Sequence, residues 1–185
     1  MNRKILITGA SSGFGKAMAE KFAEAGDHLL ITGRRKDRLE ELAKRLTKTH
    51  KVNVLVKSFD IQKRTEVFKA FQNEPFLEEL DVLINNAGLA LGRDFFDEAN
   101  LDDWETMIDT NVKGLLYASK AVLPYFIKRG KGHVINIGSI AGKEVYEKGN
   151  VYCASKHAVE AISQSMRIDL VRHGIKVTAI HPGAA

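Results

Sequence analysis

The sequence predicts an α/β fold: a parallel sheet with helices packed on both faces. Three observations carry this. Short β-rich runs alternate with longer amphipathic ones along the whole chain, the pattern of repeated strand–helix units. Most of the β-rich runs are continuously apolar rather than alternating, as strands buried on both faces are. The chain has 185 residues, 44% of them hydrophobic, which suits one domain over 1–185 with a sizeable core.

Strands are expected at Lys4–Thr8, His28–Thr32, Val52–Phe59, Val82–Asn85, His133–Ile137 and Lys176–Ile180. Helices are expected at Gly13–Ala25, Lys36–Thr47, Gln62–Gln72, Leu101–Arg129 and Val151–His173. The crossovers joining such strands are right-handed. In the second helix Glu40 and Glu41 each stand four residues before a base, Lys44 and Arg45, a spacing that makes favourable pairs on one face. Asp102, Asp103 and Glu105 suit the positive N-terminal end of the fourth helix. Pro124 is expected to bend that helix or start a new turn, because it lacks the donor a helix interior needs.

Composition narrows the function. A net charge of +5 favours anionic partners, yet no RNA-binding sequence or zinc-finger spacing is present, so a nucleic-acid partner is not expected. No run of 18 apolar residues and no signal-peptide h-region occur, so neither a membrane partner nor secretion is expected, and the cytoplasm is the expected location. One cysteine, Cys153, excludes a disulfide framework and reads as a small core residue. The six histidines form no i, i+4 pair or carboxylate cluster with ligand spacing, so no metal site is expected, and His157 reads as a helix-surface group.

The first strand runs into Gly9-Ala10-Ser11-Ser12-Gly13-Phe14-Gly15, and a helix starts near Gly13. Glycines permit a tight turn and a close approach of backbone N–H groups to phosphate, and the helix N-terminus adds free donors and partial positive charge. The spacing differs from the G-x-G-x-x-G dinucleotide fingerprint, but its strand–loop–helix setting points to a pyrophosphate site rather than a plain turn. Dinucleotide folds that bind NAD place an acid about 20 residues further on. Here the second strand ends Thr32-Gly33-Arg34-Arg35, where paired guanidinium groups suit a 2′-phosphate and so NADP.

Further along come Asn85-Asn86-Ala87-Gly88, then Asn111, Ser139, Tyr152-x3-Lys156 and Pro182-Gly183. In this order, with the glycine loop, they resemble the single-domain short-chain dehydrogenases/reductases over essentially the whole chain. A narrower likeness, carried by Ser12–Gly15, Thr32–Arg35, Ala87–Gly92, Asp103–Asn111 and Asn136–Ser139, is to the NADP-dependent 3-hydroxy acid dehydrogenases, which oxidise serine, allo-threonine and similar acids. The resemblance implies a doubly wound Rossmann fold of strand order 3-2-1-4-5-6.

Hydride transfer from an alcohol needs a base for the hydroxyl proton, while the cofactor accepts the hydride. Tyrosine is a poor base at its reference pKa near 10, and a nearby cation favours the phenolate. Tyr152 and Lys156 are four residues apart on one helix face, so Lys156 can exert that bias. The resemblance also has Lys156 hold the nicotinamide ribose, Ser139 orient the substrate oxygen, and Asn111 steady a water that leads protons from Lys156. It places the backbone of Asn85, Asn86, Ala87 and Gly88 beside the adenosine ribose, and Pro182 and Gly183 beside nicotinamide. It puts Asp60 and Ile61 near adenine, although Asp60 reads equally as a cap of the next helix.

The resemblance further implies a homo-oligomer, a dimer or tetramer through the helices at 101–129 and 151–173. It also implies a cofactor-binding Thr, a substrate-covering segment and a last helix and strand after Pro182-Gly183, which this sequence does not contain. Two other readings remain: the same chemistry on 3-oxoacyl, sugar or steroid-like ketones, and an NADP-binding protein without turnover.

Overall fold

The computed structural model describes residues 2–183. Six strands form one parallel sheet: β1 Lys4–Ile7, β2 His28–Gly33, β3 Val54–Ser58, β4 Val82–Asn85, β5 Gly132–Ile137 and β6 Ile175–Ile180. Their order is β3-β2-β1-β4-β5-β6, as expected. The helices are α1 Gly13–Glu24, α2 Lys36–His50, α3 Arg64–Phe71, α4 Leu101–Ile108, α5 Leu115–Arg129 and α6 Asn150–Leu170.

Strand periodicity sends alternate side chains to the two faces. Ile5, Ile7, Leu29, Ile31, Val82 and Ile84 pack with Ala19 and Ala23 of α1 and Leu39, Leu42 and Leu46 of α2. Leu6, Leu30, Leu83, Val134 and Val177 pack on the other face with Val67 and Phe71 of α3, Val122 and Phe126 of α5 and Leu170 of α6. Both faces of the central strands are covered, which is why β1, β2 and β4 read as unbroken apolar runs. In β6, by contrast, Ile175 and Val177 are buried while Lys176 and Thr178 are exposed.

Three expectations need correction. The helix expected over 101–129 is interrupted by a π-helical segment, Asp109–Gly114, rather than at Pro124. Pro124 lies inside α5 without ending it. Both Pro124 and Lys120, whose carbonyl loses its partner there, are exposed, so water can take the bond. α3 starts at Arg64, two residues later than expected, because the Asp60 carboxylate accepts from Gln62 N–H at 3.0 Å in a turn that precedes the helix. Arg45 pairs with Glu20 of α1 rather than with Glu41, and Glu40 pairs with Lys36 at 3.6 Å; the packing of α1 on α2 supplies a partner that sequence spacing cannot show.

Candidate active site

Every strand of a parallel sheet ends at the same edge, so the segments after all six strands converge there. The order reverses between β1 and β4, and ligands of open α/β sheets bind at such a point. A cavity of about 650 Å³ opens there. It is lined by Gly9, Ser11, Ser12, Gly13 and Phe14 from the loop after β1, and by Arg34 and Arg35 after β2. Asp60, Ile61, Asn86, Ala87, Gly88, Ser139, Tyr152, Lys156, Pro182 and Gly183 complete the wall.

The glycine loop is shaped by two needs. Gly9 has φ +69°, and a Cβ on it would lie 2.8 Å from Ala87 Cα, so the β1 and β4 loops touch only because the side chain is absent. A Cβ on Gly15 would fall against the Gly9 carbonyl oxygen and 2.5 Å from Asn86 Nδ2. Asn86 ties the loops further: its Nδ2 donates to the carbonyls of Thr8, at 2.9 Å, and Gly9, at 3.2 Å. The result directs the N-terminus of α1 at the cavity, and its first turn contains no acid to oppose an anion. Arg35 donates to Ser11 Oγ, at 2.9 Å through Nη2, and to Ser12 Oγ at 2.6 Å. The guanidinium is thereby held on the glycine loop, with exposed Arg34 beside it. Glycines that a Cβ would fill, free helix donors and two arginines fit a dinucleotide carrying an extra phosphate.

At the other end, α6 projects Tyr152 and Lys156 from adjacent turns. Lys156 is 7% exposed. Its Nζ donates to the Ile137 carbonyl at 3.1 Å and stands 5.8 Å from the centre of the Tyr152 ring. Burial pushes this ammonium down to about 8. Ser139 Oγ accepts from Ala141 N–H at 3.1 Å, which leaves its own O–H free to donate into the cavity.

Three expected site residues stand behind the cavity rather than on it. Gly15 is packed into the loop as described. The Asn85 side chain is 3% exposed, and its Nδ2 donates to Ser119 Oγ at 2.9 Å and Asn136 Oδ1 at 2.8 Å, so it braces β4 against β5 and α5. Asn111 sits in the π-helical segment. It accepts from Leu89 N–H and donates to the Leu89 carbonyl, both at 2.8 Å, and donates to Ser155 Oγ at 3.0 Å. Single π turns inside α-helices occur frequently at functional sites. Asp60 lines the cavity, and its carboxylate accepts from Gln62 N–H in the turn before α3; it does not cap that helix, whose N-cap is Lys63.

Sequence reasoning missed His181 and Glu160, which meet beneath Ser139 with 2.9 Å between Nε2 and Oε2. Residues 21 apart on different elements carry no local spacing signal. Cys153 is buried, as expected. No group of three or more metal-ligating side chains occurs among the described residues, and no described helix is long and apolar enough to cross a membrane.

Residues 3–185 match the family described as short chain dehydrogenase. The chain is 45% identical over 180 residues to the NADP-dependent 3-hydroxy acid dehydrogenase of Salmonella typhi, covering 97% of this chain and 71% of that protein. It is 43% identical to sulfoacetaldehyde reductase 2 of Chromohalobacter salexigens, covering 100% of this chain and 73% of that protein. Among solved structures, the closed form of serine dehydrogenase complexed with NADP+ superposes with a TM-score of 0.90 at 43% identity, over 97% of this chain and 71% of that one. A match through 3–185 and relatives of this identity lead to one assignment: the chain belongs to the short-chain dehydrogenase family.

Proposed function

We propose that the protein is an NADP-dependent oxidoreductase acting on the hydroxyl or keto carbon of short 3-hydroxy acids. The observation that carries this is the convergence, in one cavity, of the glycine loop, Arg34 and Arg35 with Ser139, Tyr152 and Lys156. Gly9, Ser11, Ser12, Gly13 and Phe14 would hold the pyrophosphate, Arg34 and Arg35 the 2′-phosphate, and Asp60, Ile61, Asn86, Ala87 and Gly88 the adenosine half. Lys156, Pro182 and Gly183 would hold the nicotinamide half. Bound NADP supplies the hydride acceptor, or in its reduced form the donor.

The residues of this chain handle the proton. Tyr152 takes the hydroxyl proton of the substrate as its C–H bond breaks, or returns it in reduction. The buried Lys156 Nζ stands 5.8 Å from the centre of the Tyr152 ring, on the same face of α6, where its positive charge would oppose the negative charge left on the proton acceptor. Ser139 donates its free O–H to the substrate oxygen. A Cβ on Gly88 would stand 3.2 Å from Asn111 Oδ1 and 3.6 Å from Lys156 Nζ, so Asn111 approaches the proton-transfer pair closely because residue 88 is glycine. Asn111 would steady a water that carries the proton outward from Lys156.

The substrate class rests on likeness. The Salmonella relative is named for 3-hydroxy acids and the Chromohalobacter relative for sulfoacetaldehyde, so both act on small molecules with an acidic group. The test is NADP(H) absorbance with serine, allo-threonine, 3-hydroxypropionate and, in reverse, sulfoacetaldehyde. Turnover of the hydroxy acids at the highest kcat/KM supports the proposal. Turnover of sulfoacetaldehyde alone, or of bulky ketones alone, overturns the substrate class. Tyr152→Phe is expected to lower turnover by about 100-fold to 10,000-fold while sparing NADP+ binding; retained turnover would remove Tyr152 from the chemistry.

Exposed Leu116 and Ile127 on α5 and Ile168 on α6 support association of copies through these helices. A monomeric mass in light scattering at micromolar concentration would refute that.

A further inference from the structure

Tyr152, Lys156, Glu160 and Gln164 follow one another at intervals of four along α6, so they form one row on its surface. The first two face the cavity. The third meets the strand edge that closes the catalytic end. Glu160 Oε1 takes bonds from Lys143, at 2.8 Å, and from Gln164 Nε2, at 2.7 Å. Those two donors hold the carboxyl down to about 2, so it is ionised at any working pH. Its second oxygen, Oε2, is buried without an aligned hydrogen bond, and His181 Nε2 stands 2.9 Å away.

The other ring nitrogen of His181, Nδ1, lies 3.1 Å from the carbonyl oxygen of Ser139. The ring therefore stands between two acceptors: Nδ1–H donates to the peptide carbonyl beside the candidate catalytic serine, and Nε2 faces a carboxylate on the helix of Tyr152 and Lys156. The surroundings are built around it. A Cβ on Gly138 would lie 2.8 Å from His181 Nδ1, so the ring packs against that peptide only because residue 138 is glycine. Gly138 N–H bonds the Ile180 carbonyl at 2.7 Å, and Ile140 N–H bonds the Pro182 carbonyl at 3.0 Å. The two strand ends are thus laced immediately before and after the ring.

Pro182 and Gly183, which follow His181 directly, wall the cavity together with Ser139, Tyr152 and Lys156. The phosphate loop lies at the other end of that cavity. Given that the dinucleotide extends from phosphate loop to Tyr152, the ring that exchanges hydride must rest against the Pro182–Gly183 end. This step rests on the dehydrogenase reading above.

We propose that His181 and Glu160 are positioning residues for hydride transfer: they lock the Pro182–Gly183 wall and Ser139 to the helix carrying Tyr152 and Lys156. Neither touches the cavity. They act by setting the distance between the nicotinamide wall and the proton-transfer pair, where an error near 1 Å can cost about 100-fold in rate.

The test uses His181→Ala, His181→Asn and Glu160→Gln in the full-length protein, with two nucleotides. NADP+ spans both ends of the cavity; adenosine 2′,5′-bisphosphate contains the 2′-phosphate end and no nicotinamide. For His181→Ala we expect NADP+ affinity and kcat each to fall by about 10-fold or more, with affinity for the bisphosphate within about twofold of wild type. His181→Asn can restore the bond to the Ser139 carbonyl but cannot span to Glu160, so it should recover part of the loss. Glu160→Gln, which keeps the shape and removes the charge, should lower kcat more than it raises KM for the substrate. Unchanged NADP+ affinity and kcat in His181→Ala would overturn the proposal. Equal loss of both nucleotides would overturn it as well, since the pair would then serve only general stability. Wild-type protein that binds neither nucleotide would instead defeat the dehydrogenase reading on which the proposal stands.

Discussion

Lys156→Met is expected to make the protein more stable and inactive at once. Lys156 is nearly as buried as the core, and burial holds its ammonium at about 8 rather than the ordinary 10.5. At roughly 1.36 kcal/mol per pH unit, keeping the charge inside costs the folded apo protein about 3 kcal/mol. Methionine has similar length and no charge, so that cost disappears. The bond from Nζ to the Ile137 carbonyl disappears too, and such a bond contributes about 1 kcal/mol. The net gain at pH 7 is then about 2 kcal/mol, or roughly 4–8 °C in Tm for a chain of this size.

The pH dependence carries the sign. Between about 8 and 10.5 the unfolded chain keeps the Lys156 proton that the folded protein has released, so wild-type stability rises with pH in that window. Below about 8 both states are charged and the penalty is present in full; above 10.5 both are neutral and it is absent. The advantage of Lys156→Met should therefore be largest at pH 7, shrink steadily towards pH 10, and then vanish or reverse. Thermal unfolding of the two apo proteins followed by circular dichroism measures it. A variant less stable than wild type at pH 7, or a stability difference that does not change with pH, would refute the reasoning that burial of this charge works against the fold.

Other expectations follow from particular contacts. Arg35→Ala removes a guanidinium held on Ser11 and Ser12, and a charge-assisted contact of this kind is worth about 1.5–3 kcal/mol. NADP+ affinity by titration calorimetry should fall by about 10-fold to 100-fold with NAD+ affinity unchanged, and an equal fall for both would move the 2′-phosphate elsewhere. Gly15→Ala forces the phosphate loop away from Asn86, and overpacking of this kind costs about 1–3 kcal/mol; a Tm equal to wild type would mean that the loop gives way freely. Asn111→Leu leaves the part-buried N–H and C=O of Leu89 without their side-chain partners, at about 1–3 kcal/mol for the two together. It should lower Tm and raise substrate KM, because Leu89 lines the cavity.

The sheet was legible in the sequence because a buried parallel strand has to be apolar on both faces, and β1, β2 and β4 are. The glycine loop, Arg34 and Arg35, and the Tyr152–Lys156 spacing were legible because their chemistry is local: phosphate needs backbone donors without side chains in the way, and a helix brings residues four apart together. What tertiary structure alone decided has the opposite character. The π-helical segment at Asp109–Gly114 leaves no mark in the apolar period, which reads as one helix from Leu101 to Arg129, yet it holds Asn111, which bonds Leu89 and Ser155. Asn85 sits in a motif that reads as part of the nucleotide site, and only the packing of β4 between β1 and β5 turns it into the core. His181 and Glu160 become neighbours because β6 pairs with β5 and α6 packs against them, a meeting set by long-range burial and not by any sequence period. Local spacing encodes interactions within one element; contacts between elements depend on how the whole chain buries its apolar surface, which no short motif contains.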